Sequence, residues 1–259
     1  MSKSKVKIVC SWTRPGGGTV AHINLTNLLN DNGYDCTFYG PHDWHLDKCK
    51  SDTIDKCYLG SDDILISHFI EVPDVVKVKK HILYCHEKEI FPLKNISLAQ
   101  YDLVVFVSNL QKEWQGIDYP CEIIPPPVNT VKWENPNNRV AGVVGSIDKN
   151  KQTHHSIERA LNDGYEKVLL FGEITDPPYY AQLVSLWVDK GLAVLMGHEY
   201  NREALYGQVS EVYHSSLSET YGLVEAECRL SGIPFNGTSN GQDVMDDKEI
   251  LEKWNTILK

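Results

Sequence analysis

Short apolar runs separated by helix-length segments recur along this chain, and that alternation restricts its fold more than any other feature. Residues 6–10 (Val-Lys-Ile-Val-Cys), 35–39, 63–68 (Asp-Ile-Leu-Ile-Ser-His), 81–86 (His-Ile-Leu-Tyr-Cys-His) and 101–108 read as strands, being short and rich in Val, Ile and Leu. After the first strand come Gly16, Gly17 and Gly18, then Val20, Ile23, Leu28 and Leu29 at near-helical spacing up to Asn32 and Gly33. That order spells strand, glycine loop, helix and stop. The alternation returns with strands at 140–144, 167–171, 193–198 and 211–215 and a helix read over 179–190. Strands alternating with helices form parallel, doubly wound α/β sheets, and ligands of such sheets gather at the carboxyl ends of the strands. His68 and His86 stand at two of those ends.

With 259 residues, 42% of them hydrophobic and 23% charged, the chain has room for two such domains. Pro125, Pro126 and Pro127 cannot continue a central strand, so they mark the exit from the first. The boundary is expected near 132–138, giving domains at 1–132 and 133–259. The seven cysteines show no C-x-x-C spacing, which indicates neither a disulfide framework nor a zinc ribbon. A net charge of −10 argues against broad binding of polyanions, which depends on a basic excess. The N-terminus runs directly into a strand and no apolar stretch approaches the ~20 residues of a membrane span. A cytoplasmic location is expected.

Residues 218–234 (Ser-Glu-Thr-Tyr-Gly-Leu-Val-Glu-Ala-Glu-Cys-Arg-Leu-Ser-Gly-Ile-Pro) concentrate the chemistry. A helix from about Leu223 is stopped by Gly232, with Pro234 beyond it, the usual arrangement at a helix C-terminus. A step of ~100° per residue places Leu223, Glu227 and Leu230 on one stripe, so that the Glu227 carboxylate falls among apolar residues. Glu225 and Arg229, four apart on the opposite side, read as a solvent-face ion pair. Glu227 is then either a structural carboxylate tied to neighbouring groups or part of a ligand site at a helix N-terminus. Free N–H groups and the dipole there favour a phosphate, and flanking acids can hold hydroxyls. An anion flanked by carboxylates suggests a sugar nucleotide.

Glu219, seven residues, then Glu227, with Tyr-Gly-Leu-Val between them and Gly-Ile-Pro after, resembles the signature of retaining GT-B glycosyltransferases, family 4 in particular. The resemblance implies an α/β GT-B fold, two Rossmann-like domains with parallel sheets facing across a cleft. Domain 1–132 would be the acceptor side and domain 133–259 the nucleotide-sugar side. It implies transfer of a sugar from a UDP- or GDP-sugar to a hydroxyl acceptor with retained configuration and without a metal. By the same resemblance Lys151 and the N–H groups of Gly222, Leu223 and Val224, beside Tyr221, would stabilise the departing diphosphate. Glu227 would hold the ribose, Glu219 the donor-sugar hydroxyls and His86 the donor sugar. Gly17 and Gly18 would approach the donor, Gly172 would face the nucleotide, and the backbone near Met196 and Gly197 would receive the base.

One position departs from the pattern. The family has Gly-Arg-Leu where this chain has Gly145-Ser146-Ile147, so Ser146 stands at the donor-binding arginine, and either Lys149 is the substitute or the donor's charge is met more by N–H groups. Lys151, near the start of a helix, is poorly placed electrostatically unless an anion is nearby. His81, His86, Glu87 and Glu89 lack a zinc spacing, so neither a metal nor another cofactor is expected. The partners expected are the nucleotide-sugar donor and an acceptor that is a glycan, a lipid-linked sugar or a small molecule, nucleic acid being less favoured. Two other readings stay open: a non-catalytic nucleotide-sugar-binding module, and a phage-type glycosyltransferase acting on modified nucleic acid bases.

Overall fold

The computed structural model describes residues 5–11, 16–41, 46–68, 77–86, 93–238 and 243–259. They fall into two compact units, Met1–Val128 with Met245–Lys259, and Asn129–Val244. The first unit carries β1 (Lys5–Cys10), α1 (Gly17–Asp31), β2 (Asp35–Gly40), β3 (Ser51–Thr53), β4 (Ile64–His68), β5 (Lys80–Cys85), β6 (Leu103–Phe106), α2 (Asn109–Gln115) and β7 (Cys121–Ile123). Its seven strands are all parallel, in the order β3-β2-β1-β4-β5-β6-β7. The order reverses between β1 and β4, the switch point at which doubly wound sheets bind ligands.

The second unit carries β8 (Val140–Val144), α3 (Thr153–Asn162), β9 (Lys167–Phe171), α4 (Pro177–Tyr179), α5 (Ser185–Asp189), β10 (Ala193–Gly197), α6 (Arg202–Tyr206), β11 (Glu211–His214), α7 (Leu223–Ser231) and β12 (Phe235–Gly237). Its parallel order is β10-β9-β8-β11-β12, with the reversal between β8 and β11. The two faces of each strand bury into different cores. Val168 and Leu170 of β9 join Ile157, Ala160 and Tyr213, whereas Leu169 and Phe171 join Leu205, Tyr206 and Cys228.

Three expectations are corrected. The second domain was expected to run to residue 259, but α8 (Asp247–Ile257) belongs to the first unit. Its Trp254 is fully buried with the ring 5.3 Å from that of Tyr84, Tyr34 Oη donates to Asn255 Oδ1 at 2.6 Å, and Lys80 Nζ donates to the Ile257 carbonyl at 2.6 Å. The chain also crosses between units at Val128, just ahead of the expected boundary. Finally, the helix expected over 179–190 is interrupted by a π-helical turn at Tyr180–Val184.

Candidate active site

Three strand ends of the second sheet meet through their backbones. Gly145 N–H donates to the Phe171 carbonyl at 2.9 Å and Gly172 N–H to the Gly197 carbonyl at 2.8 Å. Gly172 has φ +154°, and a Cβ there would lie 1.9 Å from the Gly145 carbonyl oxygen. No other residue fits. The loops after β8, β9 and β10 are thereby held close, and the Lys151 stem passes against Gly145.

On that base, the loop after β8 is shaped by Asp148. One of its oxygens accepts from the Lys151 N–H at 2.9 Å, and the other from Ser146 Oγ at 2.6 Å and Thr175 Oγ1 at 3.2 Å. The Ser146 hydroxyl is thus engaged within the loop. Lys149, the candidate substitute, has its ammonium 3.9 Å from the Asp176 carboxylate and its side chain 76% exposed. Lys151 instead forms a half-buried ion pair with Glu219 Oε1.

His214, the last residue of β11, places Nε2 3.0 Å from the same Glu219 oxygen. Burial pushes the Glu219 carboxyl up, but the His214 hydrogen bond and the Lys151 ammonium outweigh it and hold the group down at about 2. Glu219 is therefore ionised at neutral pH. The loop bearing it is tied to the β8 side through Asn150, whose carbonyl accepts from the Leu217 N–H at 2.8 Å and whose amide donates to the Ser218 carbonyl at 3.1 Å. Lys151, Glu219 and His214 thus stand at the β8/β11 switch point.

Helix α7 begins just beyond. Its N-cap, Gly222, has φ +88°, a left-handed conformation that glycine adopts at no steric cost. The amides of Leu223 and Val224 open the helix, where N–H groups lack intrahelical acceptors and the dipole is positive. Tyr221 is buried beside them.

The stripe expected on α7 is corrected. Leu230 is 36% exposed, while Val224 and Cys228 face the core. Glu225 is not on an open face either: it does pair with Arg229, at 2.7 Å, but is only 8% exposed. Glu227 is 1% exposed, with Oε1 accepting from Arg202 Nε at 3.1 Å and Oε2 from the Tyr206 hydroxyl at 2.5 Å. Burial raises its carboxyl despite the opposing pull of Arg202 and Tyr206. The structural reading of this carboxylate is thus fulfilled by a basic partner, and each oxygen still has a lone pair for a further donor.

In the first unit the chemistry differs. Gly17 and Gly18 are not loop residues but the first turn of α1, capped by Gly16. A Cβ on Gly18 would lie 3.6 Å from the His86 side chain. His86, just past β5, has its ring centroid 4.7 Å from that of His22 and 5.8 Å from that of His68, and Tyr84 completes the group at 4.3 Å from His86. His22 Nδ1 lies 2.6 Å from the Gly18 carbonyl, so Nδ1 carries the proton. Among the described residues, His22 Nε2 and His86 Nε2 are buried without a hydrogen-bond partner. Burial, then the neighbouring imidazoles, holds His86 well below its ordinary range, and His22 is lowered to about 3. Residues 12–15 of the glycine loop, and Glu87 and Glu89, lie outside the described residues.

Sequence reasoning missed His214, Arg202, Tyr206 and His22. His214 carried a usable signal, since it is the last residue of a strand beside the switch point. Arg202 and Tyr206 are four apart on one helix, but their convergence on Glu227 is a tertiary fact. Among the described residues no group of three or more His, Cys, Asp or Glu is arranged to hold a metal ion, and no helix is long and apolar enough to cross a membrane.

No protein-family model and no curated protein matches the chain in sequence. Solved structures do match in fold. HepE from Anabaena, in complex with UDP and glucose, superposes with TM-score 0.67 at 14% identity, over 99% of this chain and 90% of that one. AviGT4, a glycosyltransferase of avilamycin A biosynthesis, gives TM-score 0.72 at 13% identity over 98% and 97%. A glycosyltransferase from Rickettsia africae gives 0.67 at 15% over 94% and 81%. Two parallel doubly wound sheets and these likenesses give the chain the GT-B fold of glycosyltransferases.

Proposed function

We propose that the chain is a retaining, metal-independent glycosyltransferase that moves a sugar from a nucleotide-sugar donor, a UDP- or GDP-sugar, to a hydroxyl acceptor. The observation that carries this reading is the Lys151, Glu219 and His214 cluster at the second sheet's switch point, in the loops that lead to α3 and to the N-terminus of α7. A cation and a helix N-terminus answer a diphosphate, and an ionised carboxylate answers sugar hydroxyls. UDP is the first base to test, because HepE has been seen with UDP-glucose.

In this reading the acceptor hydroxyl attacks on the face from which the diphosphate leaves, and the leaving phosphate takes the acceptor proton. Lys151 and the amides of Gly222, Leu223 and Val224 stabilise the charge that develops on the diphosphate, which is where preorganised donors act most strongly. Tyr221 supports that turn, Gly172 and Gly197 shape the nucleotide side, and Glu227 offers its remaining lone pairs to the ribose. The first unit is the acceptor side, with His86 assigned to the transferred sugar and Gly17 and Gly18 to its approach. The acceptor belongs to the glycans, lipid-linked sugars or small molecules.

Thermal stabilisation by a panel of UDP- and GDP-sugars tests the donor, since a specific ligand raises stability by RT ln(1 + [L]/Kd). Product anomers read by NMR test retention, and EDTA should leave the rate within about twofold of its starting value if a lysine and a helix N-terminus do a cation's work. Stabilisation by a nucleotide sugar without transfer or hydrolysis would favour the non-catalytic binding module, which the hydroxyl at position 146 keeps in view.

A further inference from the structure

Lys151 and Glu219 neutralise each other in the structure, yet the proposed reaction needs both for other partners. A diphosphate at the start of α7 carries more negative charge than one carboxylate and competes for the Lys151 ammonium. Glu219, whose side chain is 17% exposed, would then lose its cation. A carboxylate so enclosed has to keep another hydrogen-bond donor or take up a proton.

His214 is already in place as that donor. It is 5% exposed and its Nε2 lies 3.0 Å from Glu219 Oε1. An ionised carboxylate only accepts, so Nε2 carries the proton, which assigns the tautomer. The ring is also well anchored. His214 pairs with Gly237 across the β11/β12 register, its carbonyl accepts from the Thr238 N–H and from Arg159 Nη1, both at 3.4 Å, and its ring leans on Phe235 at 6.0 Å. Glu219 itself sits in a loop. The post is on the strand, and the group it holds is in the loop that follows it.

We infer that His214 is a positioning residue for sugar transfer: through Nε2–H it keeps Glu219 oriented and ionised toward the donor sugar once Lys151 has passed from Glu219 to the donor diphosphate. This rests on the functional reading above and adds to it a residue outside the Glu-x7-Glu pattern.

The test compares His214→Leu, which removes the donor, with His214→Gln, whose amide N–H can stand near Nε2. Turnover with a UDP-sugar should fall about tenfold or more in His214→Leu, the size expected for one hydrogen bond to a charged group. It should stay within about threefold of wild type in His214→Gln, while affinity for UDP alone, which has no sugar to orient, changes less than about twofold in both. Equal turnover in wild type and His214→Leu, no rescue by Gln, or UDP affinity falling in step with turnover would overturn the inference. A second readout needs no catalysis. Imidazole nitrogen NMR of wild type should show His214 protonated at Nε2 both before and after saturation with UDP, and loss of that proton on UDP binding would overturn it. A wild-type chain that binds no UDP or GDP would bring down the functional reading first and this inference with it.

Discussion

At the switch point of the first sheet stand His22 and His68, with His86 one strand further on; at that of the second stand Lys151, Glu219 and His214. The two units share one architecture, parallel strands whose carboxyl ends deliver loops, and yet the first gathers imidazoles, of which burial keeps His22 and His86 neutral, while the second gathers full charges that pair. A doubly wound sheet decides where a site lies, not its chemistry. Neutral rings suit a sugar's hydroxyls and apolar faces, and a paired cation and carboxylate suit a diphosphate and what hangs from it.

The largest expected effect that tests this contrast is on turnover. Lys151→Ala should lower it by ~10²-fold or more, because a preorganised contact to a leaving diphosphate is stronger in the transition state. Near-normal turnover would mean that the charged end is not where the phosphate is held. Next comes the pair of acids on α7. Glu227→Gln should weaken donor binding by about tenfold, having lost a charge-assisted network. Glu225→Gln, whose partner is Arg229, should leave donor affinity within about twofold, as expected for removing a pair that faces no ligand. Equal losses in the two variants would remove the distinction between them.

The smallest effect is on acid stability. His22 is lowered from an ordinary 6.5 to about 3, so it stays neutral when folded but protonates when unfolded, and the stability it contributes is complete above pH 6.5 and declines as the pH falls toward 3. Glu219 is lowered from 4.5 to about 2, so its contribution is complete above pH 4.5 and is lost between there and pH 2. The protection of amides from exchange, corrected for intrinsic rate, should therefore fall at about pH 5 in α1, which carries His22, before it does in β8 and β11. The reverse order would contradict the assignment of neutral and charged ends.

Much of this arrangement was legible in the chain itself. Runs such as Ile64–His68 are buried along their whole length, and only a strand covered on both faces reads that way. The stop at Gly232, with φ +71°, was legible for the same local reason. The short edge strands Ser51–Thr53 and Phe235–Gly237 were not, because three residues carry no periodicity. The return of α8 to the first unit has no local signature either: Asp246 and Glu249 form a capping box that announces the helix, but what Trp254 packs against is decided across the whole chain. The α7 stripe failed because Glu227 is buried on polar partners, Arg202 and Tyr206, which an apolar count along one helix does not see.

In the proposed reading the nucleotide is held by the charged end of the second unit and not by the imidazole end of the first. Calorimetric titration of UDP into wild type, Lys151→Ala and His86→Ala measures this directly, since UDP has the diphosphate and lacks the sugar. Lys151→Ala should lose about tenfold or more in UDP affinity, and His86→Ala should bind UDP as wild type does. Unchanged affinity in Lys151→Ala, or a loss in His86→Ala as large as that in Lys151→Ala, would contradict that reading.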